Sequence, residues 1–380
     1  MRIYRRAGRA AWLAAMACCV LDALSGYAAG QQVADSVAAG RTLRRQTLPR
    51  NSWYPVPVVS RTEVTGVKVQ GILALLHRFA LDSITRPSLL FVTVIGTQKH
   101  QFAVASGGEV WLPANRRGVK YLVQYEKSPA PFYGIGPRTA PTALELVDGH
   151  TWSGELTMQQ VLRPAEYVQL GLTIARQRVV ARAPGGLLAP DTLPGSTGYT
   201  QVGLSVGLTH DSRTSTYYPR GGALALAQLT ANLRAFGSST SFWVGTLDAR
   251  RYVAVTPSSV LAMQGVLQGA WGTVPFQLLP GLGGDGLRAY EDNRWRDRVL
   301  ARGQVEWRQG LFWRLGGVAF AAAGAVAPSV SALRDSPLRT TGGVGLRLLI
   351  TRKVEAYFRG DYARSSDGTS ALTFGFSEVL

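Results

Sequence analysis

Apolar and polar side chains alternate with a period of two along most of the chain. In 166–178, Val168, Leu170, Leu172 and Ile174 point one way, and Gln169, Gly171, Thr173 and Gln177 the other. In 199–210, Val202, Leu204, Val206 and Leu208 alternate with Gln201, Gly203, Ser205 and Gly207. In 298–309, Val299, Ala301, Val305 and Trp307 oppose Arg302, Gln304, Glu306 and Arg308. Neighbouring side chains of a strand face opposite sides of its sheet, so each segment has one apolar and one polar face. One face for lipid and one for a wet lumen is the pattern of a membrane-crossing β-strand.

The same scan gives about sixteen candidate strands. They lie near 64–79, 87–97, 100–110, 118–128, 140–149, 151–162, 164–180, 199–210, 221–235, 239–255, 258–271, 297–309, 311–327, 338–350, 353–364 and 369–380. The expected fold class is all-β, a transmembrane antiparallel β-barrel, for which an even strand count and crossings of about ten residues are usual. The last segment puts Leu372, Phe374 and Phe376 on one face and runs to Leu380, a closing strand to offer to barrel-assembly machinery. A soluble β-sandwich would also alternate, but would hide its apolar face and need fewer strands.

The N-terminus changes the picture by placing the chain outside the cytoplasm. Arg2, Arg5, Arg6 and Arg9 precede an apolar core from Ala10 to Leu21, followed by Gly26, Ala28, Ala29 and Gly30. That is the three-part pattern of an export signal, assigned to 1–29. A short periplasmic leader is expected over 30–55 and the barrel over 56–380, with Pro49, Pro55 and Pro57 interrupting any helix around the boundary. Both cysteines, Cys18 and Cys19, fall inside the signal, so a mature chain cut near Gly30 has no disulfide framework. Ala15-Met16-Ala17-Cys18 is also an imperfect lipoprotein box, which leaves lipidation as the alternative processing. After the signal no run reaches the roughly 18–20 apolar residues of a membrane-spanning helix.

Charge adds a constraint on partners. Residues 1–29 contribute four Arg and one Asp, so the remainder carries +15 of the total +18. The basic residues are scattered singly among apolar ones, without a basic helix, zinc spacing or RNA-reading motif, so no nucleic-acid partner is expected. Arginines lining a lumen, or facing outer-membrane lipid and lipopolysaccharide, account for the charge. Catalytic chemistry is not expected either. The four histidines, His77, His100, His150 and His210, lie far apart and none falls in a metal spacing. No nucleophile elbow appears, and Gly281–Gly286 lacks the Lys-Ser/Thr ending of a phosphate loop. The readings are no enzyme, no metal and no cofactor. The adjacent pair His210 and Asp211 is what a barrel hydrolase would have to use.

Two passages carry more identity than the alternation. One is Gly207-Leu208-Thr209-His210-Asp211-Ser212-Arg213 followed by Tyr218-Pro219-Arg220-Gly221-Gly222. The other is Leu279-Pro280-Gly281-Leu282-Gly283-Gly284-Asp285-Gly286-Leu287-Arg288-Ala289-Tyr290 followed by Arg294-Trp295-Arg296-Asp297-Arg298. Both resemble the bacterial surface-antigen family, the barrel part of the BamA/TamA outer-membrane assembly superfamily. Phe132-Tyr133-Gly134-Ile135-Gly136 and Thr85-Arg86-Pro87-Ser88 resemble its short members that lack POTRA domains. The resemblance implies a strand-end and turn motif at Asp211, Arg213, Tyr218, Pro219 and Gly221. It also implies a long sixth extracellular loop, between the eleventh and twelfth strands, with its tip at Leu287, Arg288, Ala289 and Tyr290. The family's glycine after the arginine is Ala289 here, and Ala resists backbone angles that Gly allows.

A loop folded back into a barrel needs an anchor. A guanidinium can pair with two carboxylate oxygens at once, and Glu306 lies on the polar face of the following strand. Glu306 is therefore the expected partner of Arg288, with Asp361 and Glu355 as further candidates. By resemblance the chain would aid insertion, assembly or translocation of client outer-membrane proteins. The alternative is a passive pore or surface antigen with a loop-plugged lumen.

Overall fold

The computed structural model describes residues 51–62, 66–77, 79, 85–181, 183, 185–188, 192–215, 218–351, 356–376 and 378–380. The expected signal, most of the expected leader, Cys18, Cys19 and Glu355 lie outside these residues. The strands are β1 (Asn51–Thr62), β2 (Gly66–His77), β3 (Ser88–Thr97), β4 (Phe102–Trp111), β5 (Arg117–Phe132) and β6 (Glu145–Arg163). There follow β7 (Glu166–Ala181), β8 (Gly198–Asp211), β9 (Gly222–Asn232), β10 (Phe242–Thr256) and β11 (Ser259–Gly272). The two-residue strands β12 (Gly281–Leu282) and β13 (Trp295–Arg296) pair only with each other. The chain ends through β14 (Val299–Phe312), β15 (Leu315–Ala327), β16 (Arg339–Thr351), β17 (Ala356–Ser365) and β18 (Ser370–Phe376).

Apart from β12 and β13, the strands form one sixteen-stranded antiparallel sheet in sequence order, each beside its chain neighbour. This is the up-and-down meander of an outer-membrane barrel. Apolar side chains on the outer face stay exposed because lipid, not protein, covers them. Leu170, Ile174, Leu204, Leu208 and Leu229 are examples. Exposed aromatics mark both borders of this belt, Trp152, Trp243 and Trp271 toward one end and Trp307, Phe312 and Trp313 toward the other. Amphipathic rings collect at membrane–water interfaces for this reason. Inward-facing amides bond to one another across strands, as in Gln169 to Gln159 and Gln304 to Gln264.

The two ends differ. At one end β6–β7, β10–β11 and β14–β15 are joined by two-residue turns at 164–165, 257–258 and 313–314. At the other end the connections 133–144, 182–197, 273–298 and 328–338 are long. Short turns face the periplasm and long loops the exterior in such barrels.

Three expectations need correction. The described barrel starts at Asn51, inside the expected leader, because Pro55 and Pro57, which argued against regular structure, sit in β1. Proline is tolerated in a strand whose donor side is not needed by the ladder. The two strands expected at 140–149 and 151–162 are one continuous strand, β6, carried through the Gly149–His150 polar stretch. One missed and one divided strand leave the total at sixteen and the long loop between the eleventh and twelfth barrel strands. The closing strand stops at Phe376. Leu372 and Phe374 face outward, whereas Leu380 has left the sheet and is buried against Tyr252 and Ala262.

Candidate functional site

The loop at 273–298 enters the barrel and lies against the inner wall of β14 and β15. Leu282, Leu287, Tyr290 and Trp295 of the loop form one buried cluster with Leu300, Ala322 and Val326 of those strands. The short β12–β13 ladder pairs Gly281 with Arg296 and Leu282 with Trp295, closing the loop into a hairpin. Two glycines make the descent sterically feasible. Gly283 has φ +140°, and a Cβ there would lie 1.9 Å from the Glu291 carbonyl oxygen. A Cβ on Gly286 would lie 1.5 Å from Nη1 of Arg302. Gly283 is thus required by the loop's own backbone, and Gly286 leaves room for the Arg302 guanidinium against the loop.

At the loop tip Arg288 is buried. Its Nη2 donates to Oε1 of Glu306 on β14, and its Nη1 to Oδ2 of Asp361 on β17 at 3.2 Å. The guanidinium also lies over the ring of Phe320 on β15, 3.9 Å from its centroid. These contacts belong to a larger array. Arg308 donates to the other oxygen of Glu306 at 3.1 and 3.2 Å. Arg347 bridges Asp361 at 2.5 Å and Glu378 at 2.8 Å. Arg359 reaches Asp361 at 3.3 Å and Asp285 of the loop at 2.8 Å. Four guanidiniums thus face four carboxylates, which offsets charge that burial alone would make very costly.

Sequence reasoning nominated Glu306 and Asp361 and missed Arg308, Arg347, Arg359, Asp285 and Glu378. Strand parity could have found three of them. Arg308 shares the inward face with Glu306, and Arg359 shares it with Asp361, while Arg347 lies one strand away. Glu378 was out of reach because it was read as part of a straight closing strand.

The outer side of the loop is held from above. The Gly136 N–H donates to the Arg296 carbonyl at 2.9 Å, so Phe132–Gly136 clamps the loop. Arg294 donates to the Thr139 side chain and carbonyl at 2.9 and 3.0 Å, with its guanidinium 3.9 Å from the Tyr133 ring centroid. Tyr133 donates to Glu291 at 2.6 Å, and burial together with that bond pushes its phenol up to about 12. Arg296 donates to the Phe276 carbonyl, and burial drives it down to about 10 despite Asp292.

The strand-end motif forms a second array at the short-turn end. Arg213 grips Asp211 at 2.9 and 3.1 Å, and Arg86 donates to the same carboxylate at 2.8 Å. The segment around Arg86 is itself tied down, since Thr85 and Ser88 accept from the Ala114 and Trp111 N–H groups. Tyr218 folds inward onto Tyr357 of β17, ring centroids 4.6 Å apart, and Pro219 beside it is buried. Gly221 donates its N–H to Thr214. The glycine the turn requires is Gly222, at φ +90°, where a Cβ would meet the Ser212 carbonyl oxygen at 2.1 Å. His210 lies 3.1 Å from Ser212, but the Asp211 carboxylate is taken by arginines, and Ser212 also pairs with the Ala223 backbone. Among the described residues no group of three His, Cys, Asp or Glu side chains is placed to hold a metal.

Fold and site together define an outer-membrane β-barrel with an extracellular loop anchored in its lumen. Residues 147–378, more than half of the chain, match the Omp85 superfamily domain, and the chain belongs to that superfamily. Among solved structures it is similar to BamA from Haemophilus ducreyi lacking POTRA domains 1–3. That match has a TM-score of 0.57 and 14% identity, over 87% of this chain and 70% of that one. CdiB from Escherichia coli matches with a TM-score of 0.56 and 14% identity, over 87% of this chain and 63% of that one. CdiB from Acinetobacter baumannii matches at 0.54 and 11%, over 87% and 60%. The chain therefore spans less than two thirds of either CdiB chain, and at these identities the likeness is one of fold. No curated protein matches the chain by sequence.

Proposed function

We propose that this barrel aids insertion or translocation of other proteins at the outer membrane, through the seam where β1 and β18 would meet. The observation that carries this reading is the mismatch of the two strands. Among the described residues β1 offers twelve and β18 seven, and Glu378 lies off the sheet on Arg347. Pro55 and Pro57 stand at alternate positions of β1, opposite Leu73 and Gly71 in an unbroken ladder with β2. Their missing N–H groups therefore fall on the edge away from β2, which has fewer donors to offer β18. An incompletely satisfied strand edge is a template for another chain. The anchor fixes the loop to β14 and β17, so the plug would move with one side of the seam. Membership of the superfamily supports the same reading.

A passive pore is the second reading. It is favoured by Glu126 and Glu155, exposed residues that strand parity turns toward the lumen on the side away from the loop. Proteoliposomes separate the two. The chain should accelerate folding of a small client barrel added from outside, and deletion of 279–296 should abolish the acceleration. No acceleration, with conductance that rises on deletion, would overturn the assembly reading in favour of the pore.

A further inference from the structure

The outer face of β5–β7 carries a cluster of cations that the lumen arrays do not use. The register places Lys127 of β5 opposite His150 of β6, and His150 opposite Arg178 of β7. One row toward the membrane, Tyr125 pairs with Trp152, and Trp152 with Arg176. Lys127, Arg176 and Arg178 are exposed and share the strand parity of Val123, Leu170 and Ile174, so they point to lipid rather than lumen. Directly opposed residues on neighbouring strands lie about 5 Å apart at Cβ. The cations therefore crowd within about 10 Å across three strands.

Among the described residues none of Lys127, Arg176 and Arg178 forms an ion pair. Asp148, beside Pro129, is the nearest carboxylate on this face by register and stands one row further from the membrane. Glu126 and Glu155 have the opposite parity. The cluster sits at the long-loop end, on the upper border of the apolar belt. Beneath it is an aromatic shelf. Tyr125 and Trp152 have ring centroids 4.5 Å apart, Phe102 flanks Tyr125 at 6.5 Å, and the Tyr125 hydroxyl lies 3.1 Å from Nδ1 of His150.

We infer that this face binds the phosphorylated disaccharide headgroup of an outer-leaflet saccharolipid, of lipid A type. Unpaired lysine and arginine at headgroup depth take phosphate. An aromatic shelf at the same depth takes the apolar face of a sugar ring, which a glycerol headgroup lacks. Acyl chains of such a lipid would run down the belt formed by Leu170, Ile174 and Met158.

The test uses the full chain folded in detergent and titrated with bis-phosphorylated lipid A, read by tryptophan fluorescence and by native mass spectrometry. Lys127→Gln, Arg176→Gln and Arg178→Gln together should weaken binding on the order of a hundredfold, at roughly a factor of five per cation. Arg364→Gln, an exposed arginine outside the cluster on β17, should change it less than about twofold. A heat-modifiable band certifies that each variant is folded. Unchanged affinity in the triple variant would overturn the site, as would an equal loss in Arg364→Gln. Equal binding of phosphatidylglycerol would overturn the saccharide assignment. Displacement of lipid A by millimolar inorganic phosphate would reassign the site to a free anion.

Discussion

Arg288 lies 3.9 Å above the ring centroid of Phe320 while donating to Glu306 and Asp361. One side chain thus fastens a loop from between β11 and β14 to β14, β15 and β17 together. Each charge-assisted hydrogen bond contributes about 1.5–3 kcal/mol, and a desolvated cation–ring contact about 2. Removing Arg288 leaves neither acid orphaned, because Glu306 keeps Arg308 and Asp361 keeps Arg347 and Arg359. Arg288→Ala should therefore still form a heat-modifiable barrel, yet trypsin added from outside should cut within 279–298 at least about tenfold faster. Arg288→Lys should fall between, since an ammonium lacks the planar fork. Unchanged protease resistance in Arg288→Ala would assign the anchoring to the Leu282–Trp295 cluster instead.

Ala289 occupies the position where the resembled family has glycine, and its φ is +84°. Such a backbone costs an L-residue about 1–2 kcal/mol relative to glycine. Its methyl is buried with Val318, Phe320 and Ala363, which returns about 0.8 kcal/mol. The difference has a definite sign. Ala289→Gly should stabilise the loop slightly, by less than about 1 kcal/mol, seen as slower tryptic release. Faster release would mean that the methyl contact outweighs the strain.

The barrel was legible because lipid on one side and water on the other impose a strict period of two, which survives in β7, β8 and β14. The loop tip and two of its acids were legible because parity places Glu306 and Asp361 on inward faces. The start of the barrel was not, since Pro55 and Pro57 read as chain breakers until β1 is seen to be a terminal strand. Glu378 and Leu380 were hidden for another reason. Alternation predicts which face a strand residue takes, but says nothing of where the strand ends. The chain leaves the sheet after Phe376, and its last residues answer to Arg347, Arg308 and Tyr252 rather than to the pleat.

Tyr133 offers a pH test of the clamp above the loop. Burial first, then its bond to Glu291, raises its phenol to about 12 against an ordinary 10. A raised pKa means the folded state favours the protonated form, so the contact contributes fully below pH 10. Its contribution fades as pH rises from there through about 12. Absorbance titration at 295 nm, wild type minus Tyr133→Phe, should show a phenol with its midpoint near 12. A midpoint near 10 would mean that the 133–139 segment does not rest on Glu291.

The second array supports the end opposite the loop. Asp211 is the common acceptor of Arg86 and Arg213, and Arg86 is 4.9 Å from the Trp111 ring centroid. Asp211→Ala strands two guanidiniums in partly buried surroundings, whereas Arg86→Ala leaves Asp211 paired with Arg213. Breaking a buried pair from the shared side costs about 3–5 kcal/mol, reduced here by the partial exposure of Arg86. The expected order of thermal stability is wild type, then Arg86→Ala, then Asp211→Ala, with the last about 3 kcal/mol down. Tryptic release of 279–298 should change in neither, because the two arrays share no ion pair: Asp211 binds Arg86 and Arg213, whereas Glu306 and Asp361 bind Arg288, Arg308, Arg347 and Arg359. If Asp211→Ala also frees the loop, the arrays are coupled, and Arg308, 5.5 Å from the Tyr218 ring centroid, becomes the residue to substitute next.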